Sequence, residues 1–166
     1  MLSSVWRRNE LLRTQEDGEE GNKFEFPTLR REVEVVGEIL NELHNRFWSL
    51  RPDQDAVLYF EISSVNKNHR RQGLAASFMN WTENTERLRV CATLKFILFR
   101  DFQSLGVTGI VAEATSIANQ NLLAKRGYET LATTFLDTRI NPETGKSLLV
   151  CDDGTDRANL MFKTIL

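Results

Sequence analysis

The sequence predicts an α/β fold built on a mixed sheet with helical crossovers. Three observations predict it. Two runs rich in β-branched and aromatic residues, "AVLYFEISSV" at 56–65 and "VTGIVAEA" at 107–114, read as buried strands. Each is followed by a segment of helical periodicity, which implies parallel strands joined by a crossover. Two more strand-like runs close the chain, separated by turn-forming loops, and these favour antiparallel additions to the sheet.

The elements follow in order. The start, "MLSSVWRRNELLR", has no apolar run long enough for a signal peptide or a membrane span, and it has the pattern of a short amphipathic helix. "TQEDGEEGN" then reads as a solvated linker, so residues 1–27 are expected to be poorly ordered, with the folded domain at 28–166. From Leu29, Val36, Leu40, Leu43 and Phe47 recur at helical spacing, and Pro52 stops the pattern. "NKNHRRQG" is a turn and "LAASFMNWTE" opens a helix whose pattern runs on to Gly106, with Leu88, Cys91, Leu94, Leu98 and Phe102 on one broad face. After the strand at 107–114, "TSIANQNLLAKRG" is a short helix. Thr115 or Ser116 can cap its start, Lys125 and Arg126 sit in its last turn, and Gly127 closes it. "YETLATTFLDT" is a third strand, "RINPETGKS" and "CDDGTD" are loops, and "RANLMFKTIL" is the last strand, with Leu160 and Phe162 facing one way.

Composition narrows the function. A chain of 166 residues with 41% hydrophobic and 27% charged residues suits one soluble domain. Its net charge of −2 gives no general attraction to nucleic acid or to a membrane, so an anion site must be local. Cys91 and Cys151 have no metal-ligand spacing and read as idle thiols. The cytoplasm is the expected compartment.

One stretch carries chemistry. "HRRQGLA", His69 to Ala75, joins a buried strand to a helix N-terminus, where backbone N–H groups lack partners and the helix dipole is positive. Gly73 lets a ligand approach the backbone, and Arg70 and Arg71 add planar donors for phosphate oxygens. It is neither a Walker loop nor a dinucleotide fingerprint. By these features alone it is a phosphate cradle or a plain basic turn.

"Arg70-Arg71-Gln72-Gly73-Leu74-Ala75" after "FEISSV" resembles the acetyl-CoA loop of the GCN5-related N-acetyltransferase superfamily. "GIVAEATSIANQNLLAKRGYET" and "DDGTDRANLMFK" resemble that superfamily's later elements, most of all the arylalkylamine N-acetyltransferase-like proteins of nematodes and other invertebrates. The resemblance spans residues 56–166. It implies that backbone amides from Arg71 to Ala75, with Arg70 and Gln72 in the loop and Leu74 in the first helical turn, hold the pyrophosphate of acetyl-CoA. It also implies that main-chain groups of Ser63, Ser64 and Val65 hold the pantetheine arm, and that the acceptor is a small-molecule amine. Tyr59 and Glu61, two apart and so on one face of a strand, fall where relatives place general-base groups; Glu61 equally suits a surface ion pair. Ser116 falls where relatives place a functional residue, and equally suits a helix cap.

Three departures from the family pattern accompany these implications. The tyrosine that many relatives carry four residues before the closing glycine is Leu123 here, and Tyr128 does not replace it by spacing. The segment between Gly73 and Gly106 is longer than the family's helix. Only 55 residues precede Ala56, so the strands that usually lie N-terminal to the central one are expected to be missing. That would expose a sheet edge and favour a homodimer through it. Two readings therefore stand: an acetyl-CoA-dependent N-acetyltransferase of a small amine, or a weak or inactive protein that binds CoA or serves as an interaction module.

Overall fold

The computed structural model describes residues 2–9, 30–62, 65–83 and 106–165. Five strands form one sheet: β1 (Leu2–Arg7), β2 (Ala56–Ile62), β3 (Val107–Ala114), β4 (Glu129–Phe135) and β5 (Arg157–Thr164), in the order β1-β2-β3-β5-β4. β2 and β3 are parallel, and every other pairing is antiparallel. Among the described residues, three whole α-helices accompany them: α1 (Arg31–Leu50), α2 (Leu74–Thr82) and α3 (Ile117–Lys125). The predicted mixed α/β fold is therefore observed, with the last strand inserted between β3 and β4.

α1 covers one face of the sheet. Its buried residues are Val35, Ile39, Leu43, Phe47 and Trp48, packed on Val57, Val111, Leu160 and Phe162. The expected stripe began at Val36 and Leu40, but those side chains lie one position off the buried line. Valine or a branched aliphatic occupies both registers in the first two turns, so apolar spacing alone does not choose between them. The other face carries α2 and α3 through Met79 and Leu123, packed on Leu58, Ile110 and Met161. Leu123 is a core residue, 1% exposed.

The N-terminus corrects an expectation. β1 pairs antiparallel with β2 along its length, from Leu2 opposite Ile62 to Arg7 opposite Ala56. One strand therefore does precede the central one, in the stretch expected to lack order, and the edge of β2 expected to be open is covered. Arg8 explains the docking. Its guanidinium donates to the carbonyls of Arg51 (3.0 Å) and Gln54 (2.7 Å) and stacks on Trp48, satisfying groups that the end of α1 leaves free. A six-residue edge strand with a Ser-Ser pair has too little alternation to be read from sequence. Residues 10–29, and the long helix expected to run on to Gly106, lie outside the described residues.

Gly109 on β3 is a packing device. The Phe162 ring lies over it, and the Arg51 guanidinium stacks 4.0 Å from that ring's centre. A Cβ at position 109 would overlap the ring. Gly109→Ala is expected to lower stability by about 1–3 kcal/mol, because a rigid buried ring must move. Urea denaturation of the two proteins measures the difference.

Candidate active site

β2 and β3 part company at their C-terminal ends. Their ladder stops at the pair Phe60–Ala112, although β1 stays paired with β2 to Ile62 and β3 stays paired with β5 to Ala114. Such a split, beyond the carboxyl ends of parallel strands, is where open α/β sheets place ligands.

Beside the split lies a cavity of about 780 Å³. Val65, Arg70, Arg71, Gly73, Leu74 and Ala75 line one side, and Ser116, Asn119 and Lys125 line the other. Gln72 is exposed and does not line it. Ser63 and Ser64 lie outside the described residues.

The two helices that open onto this cavity differ at their N-termini. Ser116 caps α3, its hydroxyl accepting from the Asn119 amide at 3.3 Å, while Thr155 Oγ1 accepts from the Ile117 amide at 2.9 Å. Gly73 precedes α2 with no side chain to offer. The first bond inside α2 runs from the Ser77 amide to the Gly73 carbonyl, which leaves the amides of Leu74, Ala75 and Ala76 without an intrahelical acceptor. Gly73 has φ +74° and Arg71 has φ +62°, and a left-handed arginine is uncommon. The turn thus presents uncapped amides and two guanidinium groups to a cavity, which is the donor set a pyrophosphate requires. These residues fit the phosphate portion of acetyl-CoA.

The opposite face of the split carries a different chemistry. Tyr59 lies beside the last paired position on β2 and points toward α1, packed in that cluster. Its hydroxyl donates to Glu113 Oε2 at 2.9 Å. Glu113, just beyond the last paired position on β3, has a side chain only 3% exposed, and its Oε1 lies 3.8 Å from His44 Nδ1 on α1. Burial pushes the Glu113 carboxyl up to about 7, partly opposed by the Tyr59 hydrogen bond. Burial also lowers His44, and burial together with the nearby Glu113 raises Tyr59. The contact between Glu113 and His44 is therefore not an ordinary ion pair near neutral pH, since burial disfavours both charges. Trp6 of β1 closes the cluster, its ring 3.7 Å from Tyr59 and 3.8 Å from His44, centre to centre.

Of the residues singled out from sequence, Tyr59 enters this cluster and Glu61 is exposed. Ser116 is both a cap and a cavity-lining residue. Glu113 and His44 were not singled out. The available signal was the single carboxylate in the otherwise apolar run "VTGIVAEA". Tyr128 is buried and donates to Glu83 at 3.2 Å, away from the cavity lining.

The Glu113 shift has a sign that can be checked. Its folded-state value is above the ordinary one, so the folded protein holds a proton that the unfolded chain releases, and stability falls as pH rises between about 4.5 and about 7. Glu113→Gln is expected to remove that fall, leaving a variant more stable than the parent at pH 8 by on the order of 2–3 kcal/mol. Thermal melts at pH 5 and pH 8 measure it.

The architecture has known counterparts. Arylalkylamine N-acetyltransferase 2 from Aedes aegypti superposes with a TM-score of 0.64 and 17% identity, over 99% of this chain and 66% of that one. The fold is that of the GCN5-related N-acetyltransferases. The Drosophila melanogaster polyamine N-acetyltransferase gives 0.59 and 13% over 98% of this chain and 67% of that one, and an agmatine N-acetyltransferase gives 0.61 and 13% over 98% and 67%. This chain thus spans about two thirds of the length of the acetyltransferases it resembles. No family model matches the sequence, and no curated protein sequence matches it significantly. No helix among the described residues is long and apolar enough to cross a membrane.

Proposed function

We propose that this protein is an acetyl-CoA-dependent N-acetyltransferase acting on the primary amine of a small molecule. The observation that carries the reading is the uncapped N-terminus of α2 behind Gly73, opening onto a cavity beside the split between β2 and β3. Acetyl-CoA supplies an activated acetyl group as a thioester. The amides of Leu74 to Ala76, with Arg70 and Arg71, hold its pyrophosphate, and main-chain groups of Ser63, Ser64 and Val65 are the proposed partners of the pantetheine arm. That arrangement aims the thioester into the split, where an unpaired strand N–H can stabilise the developing oxyanion.

The acceptor enters from the α1 face. Trp6, Tyr59 and His44 present aromatic rings there, and Glu113 lies beneath them. Aromatic rings over a carboxylate suit an arylalkylamine, an apolar ring carrying a basic nitrogen. The acetyltransferases with this fold are named for arylalkylamine, agmatine and polyamine acceptors, which share a primary amine; of these, the aromatic rings here favour the arylalkylamine.

The test is formation of the acetamide, followed by mass spectrometry, from acetyl-CoA with tryptamine and with agmatine as acceptors. Turnover with tryptamine in preference to agmatine supports the reading. CoA binding without turnover of either supports the alternative, a CoA-binding module.

A further inference from the structure

The geometry points to a proton relay, Tyr59 to Glu113 to His44, that removes the acceptor's proton from the split and delivers it to the surface on the α1 side. This inference rests on the acetyltransferase reading and replaces Glu61 as the proton acceptor with groups on three different elements.

Placement comes first. Tyr59 and Glu113 flank the last paired residues of β2 and β3, one on each strand, and they bridge the mouth of the split with a hydrogen bond. Glu61 sits further out and is exposed. Orientation comes second. The Tyr59 proton is committed to Glu113, so the phenol oxygen has lone pairs to offer an incoming nitrogen. The third point is the unused end. Glu113 Oε1 is enclosed and accepts no hydrogen bond among the described residues, yet it faces His44 Nδ1 across 3.8 Å. A buried carboxylate oxygen left unpaired is costly unless the carboxyl is protonated for part of its cycle. His44 has a side chain 31% exposed, so it touches both Glu113 and solvent.

The groups facing Glu113 are few. β2 contributes Tyr59, with Glu61 felt through it, and α1 contributes His44. β1 contributes the Trp6 ring over Tyr59 and His44, and Leu160 of β5 pairs with Glu113 in the sheet. No Lys or Arg among the described residues is paired with it, and its partners there are Tyr59 and His44.

The step balances as follows. The acceptor's ammonium gives one proton to the Tyr59 oxygen while the Tyr59 proton passes to Glu113 Oε2. The freed nitrogen pair forms the C–N bond to the acetyl carbon, the C–S bond breaks, and sulfur keeps that electron pair. The second proton lost from nitrogen goes to sulfur through solvent. The Glu113 carboxyl then rotates so that its protonated oxygen takes the Oε1 position facing His44 Nδ1, passes the proton through His44 to water and is left ionised, which restores the starting state. Glu113 ionises near pH 7, so the relay is charged and discharged at small energetic cost around neutrality. Tyr59 contacts the amine; Glu113 and His44 act through it.

The test uses the full chain and two readouts. The chain has two histidines, so the ring resonances of His44 are separable by NMR. Without substrate, they are expected to show an inflection near pH 7 that reports Glu113. It should vanish in Glu113→Gln and move to higher pH in Tyr59→Phe, because the Tyr59 bond holds the carboxyl down. In turnover, kcat/KM should rise through the same pH, and Glu113→Gln should lower it on the order of 100-fold and remove that inflection. CoA affinity should not change. Turnover with an unaltered Glu113→Gln pH profile, or His44 resonances blind to Glu113, overturns the relay alone. Failure of the parent protein to bind CoA overturns the acetyltransferase reading itself, and the relay with it.

Discussion

Gly73→Asp is expected to cut CoA affinity by at least about 100-fold, close to 3 kcal/mol. The reason lies on the ligand side. A Cβ at Gly73 meets nothing within 4 Å of protein, so the substitution does not crowd the fold. It places a carboxylate beside the amides of Leu74, Ala75 and Ala76, where it repels a pyrophosphate and competes for those donors. The left-handed backbone, φ +74°, adds strain that any side chain shares. Gly73→Ala therefore separates the causes, since it carries the strain without the charge. It should lose far less affinity while costing similar stability. Arg70→Ala and Arg71→Ala remove charged hydrogen bonds and should each weaken binding by about 1.5–3 kcal/mol. Calorimetry with CoA measures all four. Equal losses in the alanine and aspartate variants of Gly73 would mean that backbone conformation, not anion binding, explains this turn.

The largest stability effect is expected at Glu83. This carboxylate, with a side chain 10% exposed, follows the end of α2. It accepts from Arg126 Nε and Nη2 at 2.9 Å and from Lys163 Nζ at 2.9 Å, and Tyr128 also donates to it. It thereby fastens α2 to the C-terminus of α3 and to β5. Burial alone would raise its pKa, but the hydrogen bonds from Arg126 and Lys163 outweigh burial and hold it low. Glu83→Gln leaves two cations facing a neutral amide and is expected to cost about 2–4 kcal/mol, less than for a fully enclosed pair because Lys163 is partly solvated. The depressed pKa gives the pH dependence its sign. The stabilisation is present above the ordinary carboxylate range and is lost as pH falls through the folded value. Denaturant curves at pH 7 and pH 3 should therefore converge for parent and variant as the pH drops.

The two buried glutamates show how far sequence reaches. Glu83 and Glu113 look alike as letters near the ends of elements. One meets an arginine and a lysine from distant positions and stays charged; the other meets a tyrosine and a histidine and is neutral part of the time. Those partners are supplied by topology, not by neighbours in the chain. Elements with strong local signals were legible. β3 matches the strand read at 107–114, and residue types alone give the Gly127 closure of α3 and narrow its cap to Thr115 or Ser116, of which the structure uses Ser116. The turn at 69–75 was legible because a glycine after two arginines, between a strand run and a helical run, marks an exposed turn at a helix start. β1 was not legible, since its stability comes from pairing with β2 and from Arg8 reaching the end of α1. Along α1, Leu43 and Phe47 are buried as their spacing predicts, whereas in the first two turns Val35 and Ile39 are buried in place of Val36 and Leu40, a choice that only packing makes.

The measurement that bears most directly on this account is amide NMR of the protein as CoA is added. α2 begins with three amides lacking an intrahelical acceptor, whereas α3 begins with a cap. On CoA addition, the Leu74, Ala75 and Ala76 amide resonances should move downfield together, saturating with the calorimetric affinity, while Ile117 and Asn119, already bonded to Thr155 and Ser116, move little. Saturable CoA binding that leaves the three α2 amides in place would contradict the account.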